Sequence, residues 1–100
     1  MKKMRKSDPL FTISVASELA KLHPRTLMLY EKNGLIKPHR TPTGRRRYSQ
    51  KDLEAIKFVH YLTRQKSVNL AGIRVIFSVL KETGKTSLKI MNKIFPDYKK

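Results

Sequence analysis

Two helices with almost nothing between them leave a chain very few folds, and residues 14–34 read that way. Ser14 can cap a helix whose apolar positions Val15, Ala16, Leu19, Ala20 and Leu22 leave Glu18 and Lys21 outward, an amphipathic pattern. Pro24 suits the first position of a second helix, because its missing N–H would have no helical partner there. Leu27, Leu29 and Tyr30 give that helix a mixed face, and Asn33-Gly34 supplies a left-handed stop. Short helices joined around His23 make a helix-turn-helix, an arrangement whose second member lies in the major groove of a duplex.

The segment after this helical pair restricts the fold further. Leu35-Ile36-Lys37-Pro38 leads into extended chain, and Pro42 and Gly44 mark the tip of a small hairpin, or wing, with basic residues on both arms. Phosphates are recognised by cations and hydrogen-bond donors. Arg40, Arg45, Arg46 and Arg47 can fork onto phosphate oxygens or enter a minor groove, and the Tyr48 hydroxyl can donate as well. In the second helix, Arg25 and Thr26 occupy the first turn, where a reading helix reaches base edges, and arginine favours guanine O6 and N7. Met28, Leu29, Tyr30 and Lys32 complete the candidate contacts of that helix, with Tyr30 equally suited to packing its ring between helices. Ser14, Lys66 and Asn69 are weaker candidates at a helix start and in a loop.

Downstream, Ser49 and Asp52 have the spacing of a capping box, and Leu53, Ile56, Val59 and His60, flanked by Phe58 and Leu62, carry a helical period to about Lys66. Asn69 can cap a fourth helix with Leu70, Ile73, Ile76, Phe77 and Leu80 on one face and Gly84 as its stop. A last amphipathic stretch, 86–95, carries Leu88, Met91, Ile94 and Phe95 and should end at Pro96. A lone short amphipathic helix is marginal in water, so this one should either fold back on its own core or, the favoured reading, make an antiparallel dimer contact. The expected fold is mainly α: a winged helix-turn-helix over 10–84, a flexible basic arm at 1–9, and a short C-terminal dimerisation helix and tail at 85–100.

Charge selects the partner. The 100 residues hold 23 Lys+Arg against 7 Asp+Glu, a formal net charge of +16. Residues 1–50 carry 12 basic and 3 acidic groups, and 51–100 carry 11 and 4, so the excess belongs to the folded body rather than to one tail. Such a surface favours a polyanion. With no cysteine, disulfides and thiolate metal sites are excluded, and no apolar run reaches signal-peptide or membrane-span length, so a soluble cytoplasmic protein is expected. His39 and His60 lack ligand partners at metal spacing, there is no Cys nucleophile, Gly-rich phosphate cradle or His-Glu metal motif, and neither a cofactor nor an enzymatic activity is expected.

The strings Ser14-Val15-Ala16-Ser17-Glu18-Leu19-Ala20, His23-Pro24-Arg25-Thr26-Leu27, Tyr30-Glu31-Lys32-Asn33-Gly34-Leu35-Ile36, Arg46-Arg47-Tyr48-Ser49 and Val68-Asn69-Leu70-Ala71-Gly72-Ile73 together resemble the MerR family of winged helix-turn-helix regulators over roughly residues 10–80. The His-Pro pair and the Asn-Leu-Ala-Gly-Ile string resemble its heat-shock repressor branch, HspR. The resemblance implies a homodimeric repressor of chaperone genes on an inverted-repeat operator of double-stranded DNA, with residues 25–33 in each major groove and the wing on flanking backbone. In some members of the branch the chaperone DnaK is co-repressor.

This chain departs from the family pattern at Met28, where members commonly carry arginine; methionine offers no strong donor, so the operator differs or Arg25 and Lys32 compensate. It also ends at Lys100, with no small-molecule effector domain expected. Two other readings fit a small basic chain: an excisionase-like architectural DNA-binding protein, and an RNA-binding protein. The second needs exposed stacking aromatics, whereas Phe11, Phe58, Tyr61 and Phe77 fall in apolar periodic positions.

Overall fold

A computed structural model describes residues 4–82 and 96–97. Four helices and a two-stranded hairpin occur in the order α1 (Ile13–Ala20), α2 (Pro24–Lys32), β1 (His39–Arg40), β2 (Arg46–Arg47), α3 (Gln50–Gln65) and α4 (Leu70–Glu82). The mainly helical architecture with a small wing is the one expected. Gly84 and the stretch holding Leu88, Met91, Ile94 and Phe95 lie outside the described residues.

Helix α1 starts two residues earlier than its sequence indicated. Thr12, not Ser14, is the N-cap, its Oγ1 accepting the Val15 N–H at 3.3 Å. Ala16 and Ser17 are buried, the Ser17 hydroxyl satisfied by donating to the Ser14 carbonyl at 2.9 Å, while Val15 and Leu19 face outward at 42% and 48% exposure. Two small residues allow α1 to approach both α2 and α3 closely.

The ends of α1 and α2 have one geometry built from different residues. After α1, the Leu22 N–H bonds the Ser17 carbonyl at 2.9 Å and the Lys21 N–H bonds that of Glu18 at 3.1 Å. After α2, the Leu35 N–H bonds Tyr30 at 3.0 Å and the Gly34 N–H bonds Glu31 at 2.9 Å. Both are Schellman closures, which need a residue in the left-handed region. Gly34 holds φ +74 without strain, whereas Lys21 holds φ +57 despite its Cβ. Between them, the Pro24 start expected for α2 is present, and His23 caps it through Nδ1, which accepts the Arg25 N–H at 3.0 Å.

The hairpin pairs His39 with Arg47 and Arg40 with Arg46. Its loop closes with the Gly44 N–H on the Thr41 carbonyl and the Thr41 N–H on the Arg45 carbonyl, both at 2.8 Å, and Gly44 at φ +83 takes the left-handed position such three-residue loops require. Phe11 pairs antiparallel with Tyr48 through two backbone hydrogen bonds, at 2.9 and 2.7 Å, which fasten the segment before α1 to the end of the wing.

Helix α3 is the central post. Its capping box is complete: the Asp52 N–H donates to Ser49 Oγ at 3.0 Å and the Ser49 N–H to Asp52 Oδ2 at 2.8 Å. The Lys51 N–H, which has no partner within the helix, donates to the Lys6 carbonyl at 3.0 Å, so the basic arm expected to be mobile is held at that point. Leu53, Ile56, Phe58, Val59 and Leu62 are buried against Ala16, Leu27, Tyr30, Leu35, Ile36, Tyr48 and Ile73 in one core. Phe58 lies between the rings of Tyr61 and Phe77, with centroids at 6.0 and 6.2 Å, joining α4 to the rest. Asn69 caps α4 as expected, Oδ1 accepting the Gly72 N–H at 2.8 Å. A Cβ on Gly72 would meet Val68 Cγ1 at 2.9 Å, so glycine lets the preceding loop close over the helix start.

Candidate nucleic-acid interface

Helix α2 sorts its residues by face. Leu27 and Tyr30 are buried, Thr26 and Glu31 are half-buried, and Arg25, Met28, Leu29 and Lys32 are exposed. At ~100° per residue these last four positions fall within about 100° of arc, opposite the buried pair. The stripe therefore carries a cation at each end and two apolar side chains between them. Beside it, His23, Arg25, Thr26 and Leu29 line a shallow hollow.

The wing stands next to this stripe because a carboxylate holds it there. Glu31, on α2, receives Arg46 Nε at 2.6 Å on Oε1 and Arg40 Nη2 at 3.0 Å on Oε2, one arginine from each arm of the hairpin. Burial opposes ionisation of Glu31, but hydrogen bonds from Arg46 and Arg40 outweigh it and hold the carboxyl below its ordinary value. The hydrogen bond to Glu31 correspondingly raises Arg46 above the usual guanidinium value. Exposed ion pairs contribute about 0–1 kcal/mol, and Arg5–Asp8 and Lys6–Glu54, both at 3.6 Å, belong to that class. The Glu31 bridge is different: Arg46 and Glu31 are only 26% and 21% exposed, and charge-assisted bonds of this length are the stronger kind.

By sequence Arg40, Arg45, Arg46 and Arg47 are equivalent candidates for wing contacts, and the structure separates them. Arg46 and Arg40 are engaged by Glu31, and Arg40 Nη1 also bonds the Gly44 carbonyl at 3.0 Å. Arg45 is exposed and Arg47 half-buried, and among the described residues neither forms an ion pair. Glu31 is a site residue that helical and strand patterns do not mark. The signal was present, since it is the sole acidic residue between Glu18 and Asp52 in a strongly basic stretch.

Two tyrosines proposed as contacts belong to the core. Tyr48 is fully buried, and its hydroxyl has no hydrogen-bond partner among the described residues, so it offers no donor at the surface. Burial raises its pKa. Tyr30 is 4% exposed, with its hydroxyl beside the Thr63 side chain, and burial raises its pKa too. The packing role left open for Tyr30 is the one it fills. Of the weaker candidates, Ser14 is exposed on the first turn of α1, Asn69 is occupied as a cap, and Lys66 pairs with Asp97 at 3.1 Å. Tyr61 donates to the same Asp97 at 2.7 Å, and that bond, with Lys66 second, lowers the Asp97 pKa.

Among the described residues, no group of His, Asp and Glu could hold a metal ion, and no helix is long and apolar enough to cross a membrane.

Comparison with known proteins agrees with this geometry. Residues 11–80 match the family model of MerR HTH family regulatory proteins. A Streptomyces coelicolor protein named for the heat shock protein HspR is 41% identical over 76 residues, covering 76% of this chain and 50% of that protein. The HTH-type transcriptional regulator GlnR of Bacillus cereus is 33% identical over 90 residues, covering 90% of this chain and 68% of GlnR. Among solved structures, that of HiNmlR, a MerR family regulator lacking the sensor domain and bound to promoter DNA, superposes with a TM-score of 0.68 at 25% identity, covering 87% of this chain and 65% of that one. The chain thus spans half the length of the HspR relative and about two thirds of the other two.

Proposed function

Since the chain belongs to the MerR family of helix-turn-helix regulators, we propose that it is a sequence-specific double-stranded DNA-binding transcriptional regulator. The observation that carries the reading is the Glu31 bridge, which sets the cationic wing beside the exposed stripe of α2 as one unit. Arg25 reads a guanine edge from the first turn of α2, Lys32 reaches backbone at the other end, and Arg45 and Arg47 contact flanking phosphates. The charge of +16 supplies the sequence-independent part of the affinity.

Identity to the HspR relative favours a repressor of heat-shock genes, acting as a homodimer through the stretch with Leu88, Met91, Ile94 and Phe95. Each protomer would then read one half of an inverted repeat. Selection of random duplex DNA by the purified chain tests this reading. A recovered inverted repeat with half-sites set by the helical repeat is expected. Recovery of direct or tandem sites would instead indicate an architectural factor, and failure to enrich any duplex sequence would overturn the proposal.

A further inference from the structure

Met28 and Leu29 occupy the middle of the exposed stripe of α2 at 40% and 46% exposure, although Leu27 and Tyr30, their neighbours in sequence, are buried in the core. Neither belongs to the core cluster or to the partly buried apolar residues packed against it. They lie between Arg25 and Lys32, and Leu29 also lines the hollow next to Arg25 and Thr26. An apolar patch bracketed by cations matches a major groove, where the phosphates are anionic and one base edge alone presents a methyl group. That base is thymine, whose C5-methyl is read by apolar contact.

We propose that Met28 and Leu29 are specificity-determining residues that read thymine methyl groups beside the guanine read by Arg25. Each half-site then contains one or two thymines next to that guanine, and the discrimination comes from covering a methyl group rather than from hydrogen bonding. This inference rests on the duplex-reading role of α2 and deepens it. Arg25 supplies the directional contact. Met28 and Leu29 supply a non-directional one that cytosine, lacking the methyl, does not satisfy.

Replacing thymine by deoxyuridine removes the C5-methyl and leaves base pairing intact, so it isolates this contact. In the duplex recovered by selection, each half-site thymine is replaced in turn and affinity is measured for the unmodified chain and for Met28→Ala and Leu29→Ala. Burying one methyl group corresponds to about a fourfold change in affinity. Such a loss is expected at one or two thymines per half-site, and at those positions the variant lacking the contacting side chain should bind thymine and deoxyuridine equally. Both side chains are exposed, so the variants leave the core untouched. If every deoxyuridine duplex binds as tightly as its parent, or the recovered half-site holds no thymine, the methyl contact is wrong while duplex reading stands. If no duplex sequence is recovered, both fall.

Discussion

The exposed stripe of α2 and the hairpin beside it are both basic, yet they hold their cations in opposite ways. On α2, Arg25 and Lys32 stand in solvent with no ion pair among the described residues. In the hairpin, two of the four arginines are bonded back to Glu31. A reading surface needs side chains whose donors are available to base edges, whereas a wing needs to be held at a fixed distance from that surface. Glu31 lowers the local positive charge by one and gains a fixed geometry. The difference shows that arginine count alone overstates how many cations face a ligand.

Arg25→Ala should break the comparison most severely. If Arg25 reads guanine as proposed, its loss is expected to weaken binding to the selected duplex by on the order of ten- to a hundredfold and to relax preference at one position, with little change on random duplex. Competition binding with single-base variants checks this, and unchanged preference at every position would remove Arg25 from base reading.

Glu31→Gln should come next and act in two directions. With the carboxylate gone, Arg40 and Arg46 are released and the net charge rises, so random-duplex affinity is expected to increase a few-fold while the preference for the selected duplex falls by roughly tenfold. The pH dependence has a definite sign. Because the folded-state pKa of Glu31 is depressed, its bridge is fully present above the ordinary carboxylate value and is lost as pH falls through the lower, folded value. Specificity should therefore be flat from neutral pH down to the ordinary carboxylate range and decline only below it. A decline already in the histidine range would point to another group.

The wing arginines sharpen the contrast at smaller amplitude. Arg45→Ala should weaken all duplexes by a similar factor and flatten the salt dependence by about one counterion. Arg46→Ala should leave the salt slope nearly unchanged and reduce specificity, the loss of specificity also expected for Glu31→Gln. Equal slopes for the two variants would mean that Arg46 leaves Glu31 to contact phosphate. Tyr48→Phe should have the least effect of all. It removes a buried hydroxyl that has no described partner, so DNA affinity should be unaltered and thermal stability equal or higher, by up to about 1 kcal/mol.

The parts legible in the sequence are those written locally. Ser49 and Asp52 lie three residues apart, Pro42 and Gly44 mark one loop, and Asn69 caps the helix that begins beside it, so the third helix, the hairpin and the fourth helix could all be placed. The start of α1 could not, because Thr12 and Ser14 are both competent caps and residue type alone does not choose between them. Tyr48 comes directly after three arginines and looks like part of the same surface, yet it pairs with Phe11, 37 positions earlier in the chain, and its ring is buried in the core, a placement that no local pattern announces. The Glu31 bridge spans 15 residues to Arg46 and links a helix to a hairpin, a pairing that helical or strand periodicity does not reveal.

The Phe11–Tyr48 pairing has a kinetic consequence. It closes a loop that contains α1, α2 and both strands, so its entropic cost falls due before its two hydrogen bonds form. The helical pair, built from nearby contacts, should collapse first, and the hairpin should reach its final orientation in the slowest refolding step.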